Sequence, residues 1–233
     1  MALDVESRPS GSPYIERVWR SRSTDVDQML SIAAATWDLV FWEHRGRVSA
    51  AIQGPEPWAR PAPVPEEAAF FGITFSPGTS MPHVPFTGLV AGAAEIPGVT
   101  RRSFWLKGST WCVPDYGNAE EFAGRLVREG ILERDPVVAR VLRGESTQLS
   151  ARTVQRRFLR ATGLTRDAIR QIDRARHAAI LLQEGMAVPD VVHRLGFFDQ
   201  PHLARALSRY IGRTATQLRD PDPPEPLSLL YKT

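Results

Sequence analysis

The chain holds a single cysteine, Cys112, so no internal disulfide can form, in keeping with a reducing cytoplasm. It has only two lysines, Lys107 and Lys232; every other basic residue is arginine. No run of 18 or more apolar residues occurs, which excludes a membrane-spanning helix on length. The opening stretch MALDVESRPSGSPY has acids and serines but no apolar core, so no secretory signal is expected. There is no Gly-rich phosphate loop, no G-x-S-x-G elbow and no paired-carboxylate site, so an enzyme is not expected. His44, His83 and Cys112 stand far apart with no H-x-H element, so neither a metal site nor a cofactor is expected. Cys112 itself, in STWCVPDYG, reads as a buried structural cysteine, with a redox or alkylation sensor as the alternative.

What is present is unevenly charged. Residues 1–130 carry 12 Lys+Arg against 15 Asp+Glu, residues 131–219 carry 16 against 8, and residues 220–233 carry 1 against 3. A basic block behind an acidic one predicts two parts with different partners, the basic one facing a polyanion. Arginine suits that task because its planar fork pairs bidentately with phosphate or with a guanine edge. At 42% hydrophobic and 24% charged residues the composition is globular, and 233 residues allow two modest domains.

Residues 1–13, with Pro9, Gly11, Ser12 and Pro13, read as a disordered lead-in. From 14 to about 116, short apolar runs at 35–42, 46–54, 68–78, 87–96 and 102–109 lie between Gly and Pro punctuation, as strands of a barrel or sandwich do. The proline-rich stretch 54–67 reads as an exposed loop or extended segment. After Gly117 the period turns helical, with helices expected at 118–130, 135–144, 151–162, 166–184, 189–195 and 200–211. Asp135, Ser150, Thr165 and Asp199 are the expected N-caps, and Gly144, Gly163 and Gly185 the expected stops. The expected class is α+β: a β-barrel-like domain over 14–130, an all-α domain over 131–219, and an acidic, proline-rich tail over 220–233.

The stretch VPDVVHRL-GFFD-QPHLARALSRYI has the form of a helix-turn-helix. Pro201 does not break the second helix. With Asp199 as N-cap it is the second helical residue, where no intrahelical N–H bond is lost. Gln200, His202 and Arg205 are then turned outward near the helix start, where a recognition helix meets base edges. Upstream, LSARTVQRRFLRATGLT offers a second outward set, Arg152, Gln155 and Arg156 with Arg160, opposite Val154, Phe158 and Leu159. A joining helix roughly 28 Å long would set the two reading helices about one DNA turn apart.

Over about 131–219 the chain resembles the AraC/XylS transcription regulators: LSARTVQRRFLRATGLT, RARHAAILL, GFFDQPHLARALSRYIG and TATQLR stand in that family's order and spacing. The resemblance implies a seven-helix DNA-binding domain with two helix-turn-helix units, joined to an N-terminal domain that senses a ligand or dimerises. It assigns base reading to Arg152, Gln155 and Arg156 in the first unit and to Gln200, His202 and Arg205 in the second. Three features depart from the family pattern. DPVVARVLRGESTQLS supplies one helix and a polar link, so the first unit is shortened or borrows 118–130. Val192 replaces a small residue, and Ala215 replaces a proline.

YIERVW, TWDLVFW and FFGITFSPGTS resemble the β-rich, cupin-like N-terminal domain of one branch of these regulators. Trp37, Phe41, Trp42, Phe71 and Trp105 are the candidate lining of a pocket for a small apolar or aromatic effector; the competing reading makes them core. The expectation is a cytoplasmic transcription regulator that binds double-stranded DNA in the major groove under effector control. A second copy of the chain and RNA polymerase are its further candidate partners. The alternatives are a constitutive DNA-binding dimer without a ligand, and a redox- or alkylation-responsive DNA-binding protein using Cys112.

Overall fold

Turn residues cut the first half of the chain into short strands, and in the second half side-chain caps at Asp135, Ser150, Asp199 and Thr214 each begin a helix. The computed structural model describes residues 2–24, 28–220 and 227–228. In chain order the strands are β1 (Ala2–Pro9), β2 (Ile15–Thr24), β3 (Gln28–Ser31), β4 (Asp38–His44), β5 (Arg47–Gln53) and β6 (Arg60–Pro63). They continue as β7 (Ala69–Phe75), β8 (Thr79–Ser80), β9 (Ala93–Glu95), β10 (Ser103–Leu106), β11 (Ser109–Cys112) and β12 (Glu133–Arg134). The helices are α1 (Ala119–Arg128), α2 (Pro136–Leu142), α3 (Ala151–Thr162), α4 (Arg166–Gln183), α5 (Val188–Leu195), α6 (Gln200–Tyr210) and α7 (Ala215–Leu218). Among the described residues, one compact unit takes 2–24, 36–55 and 65–166, and a second takes 28–35, 56–64, 167–220 and 227–228.

The first unit is built on a six-stranded antiparallel sheet in the order β1-β2-β7-β4-β5-β9. Leu39 pairs with Ile73 and Phe41 with Phe71, so apolar side chains from neighbouring strands meet on one face. That face is covered by Phe104, Leu106 and Trp111 of the β10–β11 hairpin and by Ala119, Phe122, Ala123 and Leu126 of α1. On β2 the Trp19 indole lies over Gly72; a Cβ there would meet it at 2.2 Å, so glycine is what allows the approach.

Two expectations are corrected here. No sheet closes into a barrel among the described residues, because β1 and β9 end the sheet as unpaired edges. Closure needs long, staggered strands all the way round. The run 87–96 spends Phe86–Gly88 in a 3₁₀ turn and leaves only three residues for β9, and 103–112 folds back on itself. The lead-in is also ordered: residues 2–9 form β1, paired with β2 from Ala2↔Thr24 to Pro9↔Arg17. Pro9 is tolerated because it closes an edge strand. The clamp at the other end is Arg8, whose Nη1 donates to Glu120 Oε1 at 2.6 Å and whose Nη2 donates to Oε2 at 2.9 Å.

In the second unit Ala175, Ala178, Ala179 and Leu182 of α4 pack against Val191, Phe197, Leu203, Leu207, Ile211 and Leu218. The core is completed by Ile32, from the segment after β3. β3 and β6 pair with each other as a two-stranded ribbon. The chain beside them satisfies the end of α6: Ala33 N–H donates to the Tyr210 carbonyl at 2.8 Å and Ala59 N–H to that of Arg209 at 2.9 Å. Beyond α6, Gly212 has φ +74 and lies so close to Leu30 that a Cβ would meet it at 2.8 Å. The stretch 54–67 is thus an extended segment with a structural role. The tail expected at 220–233 lies outside the described residues except for Asp220, Leu227 and Ser228.

Helices stand where the helical period and caps put them. Between Pro136 and Leu218 there are six, α2 to α7, where the resemblance implies seven. α1 is not lent to the first helix-turn-helix, since its apolar face is committed to the β core. Among the described residues, no helix is long and apolar enough to cross a membrane.

Candidate nucleic-acid interface

α5 starts with proline in its first turn and stops at Gly196, which takes the left-handed conformation at φ +66. Three residues later Asp199, extended at φ −156, accepts the His202 N–H at 2.7 Å and so begins α6, with Pro201 in its first turn. Leu203, Ala206, Leu207 and Ile211 are buried along one stripe. Gln200, Ala204, Arg205, Ser208 and Arg209 are exposed on the other side. The turn is held from α4 as well: Arg174 lies over the Phe197 ring at 4.4 Å and donates to the Gly196 carbonyl at 3.3 Å.

His202 is placed differently from Gln200 and Arg205. It is half-buried, edge-on to Phe197 at 5.3 Å, and its Nδ1 accepts the Phe198 N–H at 3.2 Å. With Nδ1 accepting, Nε2 is the ring nitrogen left to donate.

α3 carries the other set. Ser150 accepts the Thr153 N–H at 3.3 Å, and Gly163 ends the helix at φ +72. Val154, Phe158, Ala161 and Thr162 are buried, Leu159 is half-buried, and Arg152, Gln155, Arg156 and Arg160 are exposed. The three assigned readers stand at i, i+3 and i+4, one face of the helix. Ahead of α3, Asp135 caps α2 by accepting from Val137 and Val138 and also takes Arg157 Nη1 at 2.9 Å. The link between α2 and α3 holds a small ion cluster in which Glu145 accepts from both Arg140 and Arg143. Arg143 first, then Arg140, holds that carboxyl below its usual range. α3 belongs to the first compact unit and α6 to the second.

Three of the five aromatic candidates, Trp37, Phe41 and Phe71, pack against other aromatic rings. Trp37 stacks on Phe75 at 4.0 Å, tilts against Phe86 at 5.0 Å, and donates its indole N–H to the Thr79 carbonyl at 2.7 Å. Phe41 stacks on Phe71 at 6.1 Å and meets Phe104 edge-on at 5.2 Å. Trp42 is half-buried, and Trp105 has half its surface in solvent. A cleft of about 160 Å³ lies elsewhere in this unit, lined by buried Ser80, Met81 and Phe86 and by exposed Thr87 and Arg160 of α3. None of the five aromatic candidates lines it. Cys112 is exposed and free, which corrects the expectation of burial. On a strand with period two its neighbour Trp111 points into the core, so Cys112 points out. Among the described residues no three metal-ligating side chains come together.

Sequence reasoning passed over Phe198, the turn clamp Arg174, the Asp135–Arg157 pair and the cleft. Phe198 was legible as the second of two adjacent phenylalanines in a four-residue turn. The others were not, since each joins residues distant in sequence.

A helix pair joined by a glycine turn, with one polar and one apolar face on the second helix, is the architecture of a DNA-binding helix-turn-helix module. Residues 144–220 match the family described as helix-turn-helix domain, and the segment is of the AraC type. The match starts at Gly144, after α2, and leaves the β-rich residues outside it. No curated protein and no solved structure matches the chain. An AraC-type helix-turn-helix domain implies a DNA-binding transcription regulator, a non-enzymatic class.

Proposed function

We propose that the chain is a sequence-specific transcription regulator in which α6 enters the major groove by its N-terminal end and α3 supplies a second reading face. The observation that carries this is the Asp199-capped start of α6, which presents Gln200 and Arg205 to solvent over a wholly buried apolar stripe. The Gln200 amide offers a donor and an acceptor matched to an adenine edge, and the Arg205 fork matches guanine. His202 contributes its Nε2–H. Arg152, Gln155 and Arg156 do the equivalent work on α3. Exposed arginines, Arg194 and Arg209 among them, supply phosphate affinity that falls with salt. A DNA partner supports the reading of a cytoplasmic protein.

The test compares Gln200→Ala with the unchanged chain on a selected duplex and on random duplex. A base reader predicts a loss of about 1–3 kcal/mol on the selected duplex alone. Equal losses on both would reduce Gln200 to a phosphate contact.

For effector control the supporting feature is the cleft beside α3. Its volume suits a benzene-sized group, and Arg160 at its rim, now 3.5 Å from the Glu133 carboxylate, would exchange that partner for a ligand carboxylate, so a small apolar or aromatic acid is the ligand class. An occupant would bear on the first reading helix, and it regulates only by preferring one arrangement of that helix. Benzoate and short alkyl carboxylates should raise the melting temperature of the full chain, and Arg160→Gln should abolish the rise. A second reading, a constitutive DNA-binding dimer, is favoured by the mutual stacking of Trp37, Phe41, Phe71 and Phe75. No shift with any small acid decides for it.

A further inference from the structure

The turn before α6 holds two successive phenylalanines with opposite fates. Phe197 is 5% exposed beneath Arg174, whereas Phe198 is 90% exposed. An apolar ring left in water forgoes the free energy of burial, and here a loose backbone is not the cause. Gly196 is fixed in the left-handed region, the Phe198 N–H donates to His202 Nδ1, and the next residue, Asp199, is bonded to the first turn of α6. The ring is therefore presented from a braced position two residues ahead of Gln200. Exposed Arg194 and Arg205 lie on the two helices that flank this turn, so the surrounding charge favours a polyanion over an apolar protein partner.

We propose that Phe198 is a specificity-determining residue that packs against the 5-methyl group of a thymine beside the base read by Gln200. The inference rests on the reading that α6 enters the major groove. In that groove thymine alone of the four bases presents a methyl group; cytosine carries only hydrogen at the same carbon, next to an amino donor that a phenyl ring cannot satisfy. The ring thus selects through apolar contact where the neighbouring amide selects through hydrogen bonds. One methyl-sized contact corresponds to a preference of about four-fold.

The experiment uses the full chain and a duplex that it selects from a randomised pool. The duplex is resynthesised with deoxyuridine for the thymine beside the Gln200-dependent base. The chain should bind the thymine duplex about four-fold more tightly than the deoxyuridine duplex. Phe198→Ala should bind both at the deoxyuridine level, and Phe198→Leu should keep part of the preference. A thermal melt of each variant checks that the turn is intact. The inference is overturned if selection yields no thymine there, if the unchanged chain ignores the methyl group, or if Phe198→Ala affects both duplexes equally or neither. Equal loss in both marks a non-selective contact, and loss in neither leaves the ring for a protein. Gln200→Ala on the same duplexes separates this failure from failure of the base-reading proposal. If that variant still loses only the selected duplex, α6 reads bases and only the role of Phe198 falls.

Discussion

Glu120, on α1, sits under the Arg8 guanidinium of the edge strand, with the Ser10 hydroxyl donating to the same carboxylate at 2.9 Å. The Arg8 hydrogen bonds, outweighing desolvation, lower the carboxyl from an ordinary 4.5 to about 2. A depressed carboxyl stabilises the fold fully above its unfolded pKa and loses that contribution as pH falls toward its folded one. The expected outcome is that β1 loosens between about pH 4.5 and pH 2 while the sheet centre holds. Amide hydrogen exchange at β1 across that window checks it. Glu120→Gln should remove the pH dependence and cost about 1 kcal/mol at neutral pH, since the pair is partly solvated. At this scale local chemistry was readable in advance: Asp199, Ser150 and Asp135 cap as their residue types predict. The departure at Ala215 is also accounted for, because Thr214 and Gln217 form a complete capping box around it. The Arg8–Glu120 clamp was not readable, because its partners are 112 positions apart.

Among the elements, α3 is the one whose placement matters most for the proposal and was least evident. Its C-terminal Gly163 faces the 3₁₀ turn at Phe86–Gly88, where a Cβ would lie 2.7 Å from the Phe86 carbonyl oxygen. Gly163→Ala meets both a left-handed backbone and that backbone contact. It should cost more than about 1 kcal/mol in a urea or thermal melt. Gly144→Ala, also left-handed but with open space around it, should cost less, so the difference measures the contact. The Ser150 cap and the Gly163 stop foretold the span of α3, and the apolar set placed Val154 and Phe158 inside, while Leu159 is only half-buried and Ala161 and Thr162 join the buried side. The apolar set could not foretell that the buried side of the helix meets the turn after β8, because a periodic stripe names a face and not its partner. The aromatic residues teach the same lesson. Their types placed them in the β-rich region, yet whether they enclose a void or fill one was set by ring against ring.

Across the whole molecule the two units are interleaved in sequence. Residues 28–35 and 56–64 leave the β-rich half to complete the second unit, where Ile32 enters the core and Ala33 and Ala59 bond the last carbonyls of α6. A fragment of residues 131–219 lacks both segments. It should melt at lower temperature and less cooperatively than the full chain and bind an apolar dye; equal melting of the two would show the ribbon to be dispensable. The sequence by itself determined helices α1 to α6, the caps at Asp135, Ser150 and Asp199 and the outward turn of Gln200 and Arg205, because these follow from neighbours within a few residues. Only the tertiary structure decided that the sheet stays open, that residues 2–9 pair as its edge, and that Phe198 stays out while Phe197 goes in. Each of those outcomes depends on which distant surface is left to pair with or pack against, and no local pattern carries that information.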